Sequence, residues 1–227
     1  MSKLTLVIGN RTYSSWSLRG WLAVRQTGFR FEEVILPLET DQFYDEVESW
    51  SPSRTVPALN HRGARIWDSL AIVDYCARLN RDAFFWPSEF DAFGYAKSIA
   101  AEMHSSFSAL RRAAPMNLRK RYTGLTMDAD VARDLERIDT LWCECLDHFG
   151  GDGGYLFGDF SAADMMFAPV ATRVVTYDLP MSTEARRYVT TIMEHPFMLD
   201  WCAAAEQETA ILKSEELAEG QTHLSAG

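Results

Sequence analysis

Three serines in four positions, Ser14, Ser15 and Ser17, stand where a helix is expected to begin. Apolar residues follow them at helical spacing, and Thr27-Gly28 supplies a stop signal. The first N–H groups of a helix have no partner inside it and carry partial positive charge, so hydroxyls placed there can help to hold an anion. Serine is also a common N-cap residue, and on its own this pattern favours plain helix capping.

Asp68 and Ser69 form a second polar pair, directly before another segment with helical periodicity. A helix N-terminus binds anions, whereas an aspartate side chain binds an ammonium group. The same aspartate suits an N-cap, and one residue can serve both purposes.

The four cysteines do not form the dense pattern of a disulfide framework. Cys143 and Cys145 are two residues apart, so on a helix their side chains face different directions, and no histidine stands at ligand spacing beside them. The pattern favours buried or half-buried thiols and predicts no metal site.

The composition is that of a folded globular protein, with 47% hydrophobic and 24% charged residues among 227. The net charge of −10 opposes a nucleic-acid partner, because binding phosphates requires a basic surface. The sequence contains no apolar run of the roughly eighteen residues that a membrane span needs, and its start leads directly into a predicted strand. These features predict a cytoplasmic protein with no nucleic-acid or membrane partner.

The periodicity of the chain changes near residue 81. Residues 1–80 alternate strand and helix signals in the order β-α-β-α-β-β-α, whereas residues 91–208 show helical periodicity only. We therefore predict a first domain at 1–80, a linker at 81–91 and a helical domain at 92–227, whose tail from about residue 209 is loose.

Local signals set the expected elements in each half. Strands at residues 4–8 and 31–36 flank the first helix in a βαβ unit, which makes them parallel, and a hairpin turns at residues 61–63. In the second half, apolar spacing predicts one long helix from about residue 91 to residue 115, and residues 161–164 have the form of a capping box.

This element order, with Val-Pro before the third strand and Asp-Ser before the third helix, resembles the glutathione transferase family over nearly the whole chain. Residues 13–19 resemble the Ser-Ser-Cys-Ser run of the zeta-class enzymes, and residues 155–164 resemble the family's folding motif in the second domain. Trp16 stands where the zeta class carries cysteine, which disfavours that class's maleylacetoacetate isomerisation. The chain is most similar to a less characterised bacterial branch of the serine type.

The resemblance implies an α/β thioredoxin-like N-terminal domain followed by an all-α C-terminal domain, and a cytoplasmic homodimer that serves in detoxification. It implies glutathione as a co-substrate, without a metal. The unperturbed thiol pKa is near 8.5, so the protein must favour the thiolate. Ser14 is the expected hydrogen-bond donor to the sulfur, with Ser15 as its neighbour or substitute.

The resemblance also implies where the rest of glutathione binds. The Val56-Pro57 bond is expected to be cis and to expose the backbone of Val56 to the cysteinyl part. Asp68-Ser69 is expected to hold the γ-glutamyl carboxylate and amine. Gln42 matches a glutamine that reaches the glycyl end, and Arg54 takes over the glycyl carboxylate because Thr55 replaces the family's usual basic residue.

The second substrate is expected to lie against the long helix, near Met103, His104, Phe107 and Arg111. Methionine and phenylalanine at helical spacing are more often core residues, and such a histidine is more often an ordinary polar group. Arg19 falls on the same helical face as Ser15 and could add positive potential near the sulfur, although such an arginine is more often solvated.

The leading hypothesis is a transferase that joins glutathione to an electrophilic, mostly apolar small molecule. Glutathione-dependent cis-trans isomerisation is an alternative, and so is a non-catalytic binding module, since such folds can keep their shape without chemistry. A thioredoxin-type oxidoreductase is disfavoured because residues 13–17 contain no cysteine.

Overall fold

The computed structural model describes residues 3–123, 125–217 and 222–223. Its first part is a four-stranded sheet flanked by helices, in the element order predicted from the sequence. The strands are β1 (Leu4–Ile8), β2 (Glu32–Ile35), β3 (Ala58–His61) and β4 (Ala64–Trp67), and the helices are α1 (Ser15–Gln26), α2 (Asp41–Trp50) and α3 (Ser69–Leu79).

The strands lie in the order β2-β1-β3-β4. β1 is parallel to β2, as the predicted crossover requires, and β3 is antiparallel to both β1 and β4. Every residue of β1 is buried because the strand runs through the middle of the sheet. The thioredoxin-like fold class predicted for this half is confirmed.

The second part is mostly helical. Its helices are α4 (Phe90–Ser105), α5 (Ser108–Ala113), α6 (Ala129–His148), α7 (Ala162–Tyr177), α8 (Thr183–Glu194) and α9 (Pro196–Glu206). One departure from an all-α domain is the short antiparallel pair of β5 (Tyr122–Thr123) with β6 (Thr222–His223). None of the helices in the described ranges is both long enough and apolar enough to cross a membrane.

Helix α7 is the centre of the helical part, and it packs against α1, α4 and α8. The predicted capping box is present at its start, where the side chains of Ser161 and Asp164 each accept a backbone N–H of the other. The buried Asp164 carboxylate also accepts hydrogen bonds from the backbone N–H of Leu156 and from the hydroxyl of Tyr188. Burial raises the pKa of Asp164, so these donors anchor an otherwise costly group.

The prediction of one long helix over residues 91–115 is wrong, because the helix is interrupted. Helix α4 ends at Ser105, and Phe107 has a left-handed φ of 61° before α5 begins. The guanidinium of Arg111 donates hydrogen bonds to carbonyls in the last turn of α4 and just after it, which satisfies groups that a continuous helix would have used. The predicted apolar face is nevertheless buried, including Phe107 itself.

The tail predicted to be loose from about residue 209 packs onto the body of the protein over residues 209–217. Leu212 is buried. The carboxylate of Glu216 accepts hydrogen bonds from Tyr13 Oη at 2.7 Å and from Asn117 and Tyr122 at 3.0 Å each. This packing could not be predicted from apolar periodicity, because a few polar contacts hold the segment and no apolar stripe does. Residues 218–221 and 224–227, the rest of the predicted loose tail, lie outside the described residues.

Candidate active site

A cleft of about 540 Å³ opens at the N-terminal ends of α1 and α3 and reaches the helical domain. Residues from distant parts of the chain line it. The predicted site residues among them are Ser14, Ser15, Arg54, Val56, Pro57, Asp68, Ser69 and Arg111. A larger hollow of about 820 Å³ lies elsewhere in the first domain, but none of these residues lines it. The smaller cleft is therefore the candidate site.

Ser14 is the N-cap of α1, and its hydroxyl is already engaged. Ser14 Oγ accepts from the backbone N–H of Ser17 and donates to Ser17 Oγ at 2.7 Å. Ser17 Oγ also accepts from the backbone N–H of Gly9 at 3.0 Å. Ser17 therefore positions Ser14, a role that its place within the serine cluster could have suggested.

Ser15 differs from Ser14 in having a free hydroxyl. The Ser15 side chain lines the cleft and makes no hydrogen bond with any of the described residues. Its backbone N–H donates to the carbonyl of Tyr13. Two hydroxyls thus stand at the start of α1, one held by a cap and one able to turn toward a bound molecule.

The Val56-Pro57 peptide bond is cis, as the resemblance implied. Both residues line the cleft. A Cβ atom at Gly20 would lie 2.9 Å from Cγ of Pro57, so only glycine allows α1 to pack this closely on the proline. Pro57 therefore packs on the second turn of α1, and Val56 lines the same cleft as Ser14 and Ser15.

Asp68 caps α3 in a left-handed conformation, with a φ of 74°. One carboxylate oxygen accepts from the backbone N–H groups of Leu70 and Ala71, and the other lies 3.1 Å from Nε2 of His104. The neighbouring hydroxyl of Ser69 is buried and has no partner among the described residues. Buried hydroxyls normally form a hydrogen bond, so the Ser69 hydroxyl is available to bond to a molecule in the cleft.

Comparison with known proteins identifies the first domain. Residues 13–79 match the family described as glutathione S-transferase, N-terminal domain. This region is therefore similar to the N-terminal domains of glutathione S-transferases. The resemblance drawn from the sequence is confirmed by this match.

Solved glutathione transferases share the fold of both domains. A glutathione transferase homolog from Burkholderia with bound glutathione has a TM-score of 0.70 and 19% identity, over 91% of this chain and all of the other. An epsilon-class glutathione S-transferase from the housefly, Musca domestica, has a TM-score of 0.69 and 19% identity, over 90% and 94%. A glutathione transferase homolog from Sulfitobacter with bound glutathione has a TM-score of 0.59 and 19% identity, over 88% and 97%.

Three residues predicted for the glutathione transferase site lie elsewhere. Met103 and Phe107 are 1% and 5% exposed and belong to the hydrophobic core, so they do not line the cleft. Their helical spacing already favoured a place in the core, and the apolar face that they share does pack inward. Gln42 lies on the exposed side of α2 and is not among the residues lining the cleft.

His104 does not line the cleft either, but it contacts two residues that do. Its ring pairs with Asp68 and meets the ring of Trp16 edge to face, with centroids 5.3 Å apart. His104 therefore forms a contact between the helical domain and the first domain. Within the described ranges, no group of three or more His, Cys, Asp or Glu side chains could hold a metal ion.

Arg19 is buried, and the expectation of a solvated side chain is wrong. Its Nε donates to the carbonyl of Met166 at 2.9 Å, because α7 of the helical domain covers this face of α1. Burial holds the pKa of Arg19 well below its usual range, and the nearby cations Arg111 and Arg173 lower it further.

Arg173 is a cleft residue that the sequence reasoning missed. It is 5% exposed, and burial lowers its pKa to about 10. A signal was available, since Arg173 is a cation within an otherwise largely apolar helix. Charged residues in such a place are rare unless they serve a site or a buried pair.

Proposed function

We propose that this protein is a glutathione transferase: it binds glutathione in the cleft, stabilises its thiolate and joins the sulfur to an electrophilic small molecule. The observation that carries the proposal is the meeting of the α1 serines, the Val56 backbone and Asp68-Ser69 in one cleft, with the buried Ser69 hydroxyl lacking a partner. The glutathione bound to the Burkholderia and Sulfitobacter homologs supports the same ligand.

Each end of glutathione has a matching group in this cleft. The ammonium of the γ-glutamyl part pairs with Asp68. The carboxylate of the γ-glutamyl part accepts a hydrogen bond from the Ser69 hydroxyl at the start of α3. The backbone of Val56 pairs with the cysteinyl part, and Arg54 binds the glycyl carboxylate. Gln42 is left out of this arrangement because it does not line the cleft.

Ser14 is the proposed hydrogen-bond donor to the sulfur. At present its proton points to Ser17, but Ser17 can donate to Ser14 instead, because a hydroxyl both donates and accepts. The proton of Ser14 is then free for the thiolate, and Ser15 offers a second one. Lowering the thiol pKa by two units requires about 2.7 kcal/mol, which a charge-assisted hydrogen bond and the helix terminus can supply together.

In the reaction the thiolate sulfur forms a bond to the electrophilic carbon. The electron pair of the broken bond departs with the leaving group, or it moves into a conjugated system that then takes a proton from solvent. The homodimer and the cytoplasmic location implied by the resemblance remain predictions.

Calorimetric titration with glutathione, combined with the pH dependence of thiolate absorbance, tests this function. We expect the wild type to bind glutathione and to lower its thiol pKa. We expect Ser14→Ala and Ser15→Ala to raise that pKa again, whereas Ser49→Ala, on an exposed part of α2, leaves it unchanged.

Failure of the wild type to bind glutathione would overturn the proposal. Binding with an unperturbed thiol pKa would instead indicate a non-catalytic binding module. A thiol pKa that stays as low in both serine variants as in the wild type would show that the thiolate is held by other groups.

A further inference from the structure

Three arginines from three helices lie close together at the edge of the cleft, and two of them contact the ring of Trp16. The guanidinium carbons of Arg19 and Arg111 lie 4.7 and 4.8 Å from the centre of a Trp16 ring. Arg111 and Arg173 line the cleft together with Trp16. The cluster therefore joins α1, α5 and α7 in one place, and part of it faces the space where a ligand would bind.

The hydrogen bonds of these arginines go to backbone carbonyls and leave several N–H groups unused. Arg19 uses only Nε, and both of its Nη atoms are buried without a partner among the described residues. Arg173 donates from Nε to Ala114 and from Nη1 to Pro169, which leaves Nη2. Arg111 binds carbonyls of α4 and Ser106 through Nε and Nη2, which leaves Nη1.

Within the part of the chain that the structure describes, none of the three forms an ion pair with a carboxylate. Asp68 is the nearby acid for Arg19, but its oxygens already serve the α3 cap and His104. Glu215 also lines the cleft and acts electrostatically on Arg173 without forming an ion pair with it, and Asp134 acts in the same way on Arg111. The three guanidinium groups therefore have acids in their surroundings but are not directly paired with any described carboxylate, although the net charge of the protein is −10.

Buried cations without a counter-ion are costly, since desolvation is not offset by pairing. A structural role explains the carbonyl contacts of each side chain, but it does not explain why three cations lie together, two of them over one ring. An anion bound in the cleft would meet the unused N–H groups of Arg111 and Arg173, which suit the two oxygens of a carboxylate.

We propose that this part of the cleft is an anion subsite for the second substrate, so that the preferred acceptor is an electrophile carrying a carboxylate. Arg111 and Arg173 bind the carboxylate, and Arg19 supplies a fixed positive charge from beneath the surface. This replaces the mostly apolar acceptor expected from the sequence, since Met103 and Phe107 do not face the cleft. The substrate assignment rests on the proposed glutathione transferase function.

The probes are 4-chloro-3-nitrobenzoate and its methyl ester. In both, the glutathione sulfur forms a bond to the ring carbon and chloride leaves with the electron pair of the C–Cl bond. We expect the wild type to prefer the acid over the ester by at least about tenfold in kcat/KM, with a preference that falls as salt rises. Equal activity with both compounds, or a preference for the ester, would overturn the proposal.

Variants test which arginines produce the preference for the acid over the ester. Arg111→Gln and Arg173→Gln are expected to reduce it to within about threefold, with Arg111→Lys and Arg173→Lys in between, because lysine keeps the charge but not the paired donors. Arg112→Gln, on the exposed side of α5, is the matched control and should keep the wild-type ratio. The glutathione Kd should change by less than about twofold in all of them.

Two outcomes separate this proposal from the function itself. If the arginine variants weaken glutathione binding and leave the acid-to-ester ratio unchanged, the arginines hold a carboxylate of glutathione and the subsite proposal is wrong. Calorimetry with benzoate and benzamide needs neither glutathione nor turnover. Benzoate binding that Arg111→Gln weakens would support the subsite even if glutathione failed to bind, an outcome that counts only against the transferase.

Discussion

Nε2 of His104, on α4, lies 3.1 Å from the carboxylate of Asp68, which caps α3. The two side chains belong to different domains, so the helical domain touches the first domain at a residue proposed to bind glutathione. Both are partly exposed, at 28% and 41% of the side-chain surface. The contact therefore adds little to the stability of the fold, because solvent screens a partly exposed pair.

His104→Gln should lower the free energy of unfolding by at most about 1 kcal/mol, because solvent screens a partly exposed pair. Glutathione affinity should fall less than about fivefold, since the backbone N–H groups of Leu70 and Ala71 still orient Asp68. Asp68→Asn keeps that cap but loses the charge, and it should weaken binding by at least about tenfold. Calorimetry measures the glutathione affinity, and urea unfolding measures the free energy of unfolding. A larger effect from His104→Gln than from Asp68→Asn would contradict this assignment.

The stabilities of alanine variants at the α1 serines should show which hydroxyls have a structural role. Ser14→Ala removes an N-cap and should cost about 1 kcal/mol of stability. Ser17→Ala leaves the backbone N–H of Gly9 without its acceptor and should cost about 1–3 kcal/mol. Ser15→Ala should leave stability within about 0.5 kcal/mol, because its hydroxyl bonds to no described residue. Urea unfolding ranks the three, and a destabilised Ser15→Ala would show that this hydroxyl is structural.

Gly20→Ala should both destabilise the protein and weaken glutathione binding. The new Cβ would lie 2.9 Å from Cγ of Pro57, so α1 must move away from the residue pair that presents the Val56 backbone. We expect a loss of about 1–3 kcal/mol in unfolding free energy. Gly94→Ala is the control on α4: its Cβ meets nothing within 4 Å, so the change should stabilise by up to about 1 kcal/mol. Equal results for the two glycines would show that α1 is not tightly packed on Pro57.

Alkaline pH should weaken the fold through its buried thiols. Burial raises the pKa of both Cys76 and Cys145 to about 12. The unfolded chain releases these protons from about pH 8.5, so each thiol's stabilising contribution is complete below that pH and declines as pH rises toward 12. At pH 10 the loss is about 1.5–2 kcal/mol per thiol. Urea unfolding at pH 7.5 and 10 should show a smaller pH effect in Cys76→Ala/Cys145→Ala than in the wild type. An identical effect in both proteins would assign it to other groups.

The elements of the first domain could be predicted because their signals are local. Periodicity and the caps at Ser14 and Asp68 act over a few residues, and each is present in the structure. The same holds in the helical domain for the capping box at Ser161 and Asp164. The break at Phe107 could not be predicted in this way. It depends on Arg111 reaching back to the carbonyls of α4, which is a contact between two helices.

The candidate site also has residues that local motifs predict and residues that only the packing reveals. The pairs Ser14-Ser15, Val56-Pro57 and Asp68-Ser69 were found through their local motifs and the family resemblance, and they meet in one cleft. Arg19 was placed on the correct face of α1, but the spacing does not say what covers that face. Only the packing of α7 reveals that Arg19 is buried and that Arg173 joins it near Trp16.

Helix α1 is continuous in sequence with the first domain, yet it contacts both halves of the protein. Arg19 donates to the backbone of Met166, and the Trp21 ring meets that of Trp201 with centroids 5.2 Å apart. A chimera that combined residues 1–80 with the helical half of a relative would need to satisfy both contacts. Exchange of whole halves between relatives is therefore limited by the surface of α1, as it is by the contact of His104 with Asp68, and not by the linker alone.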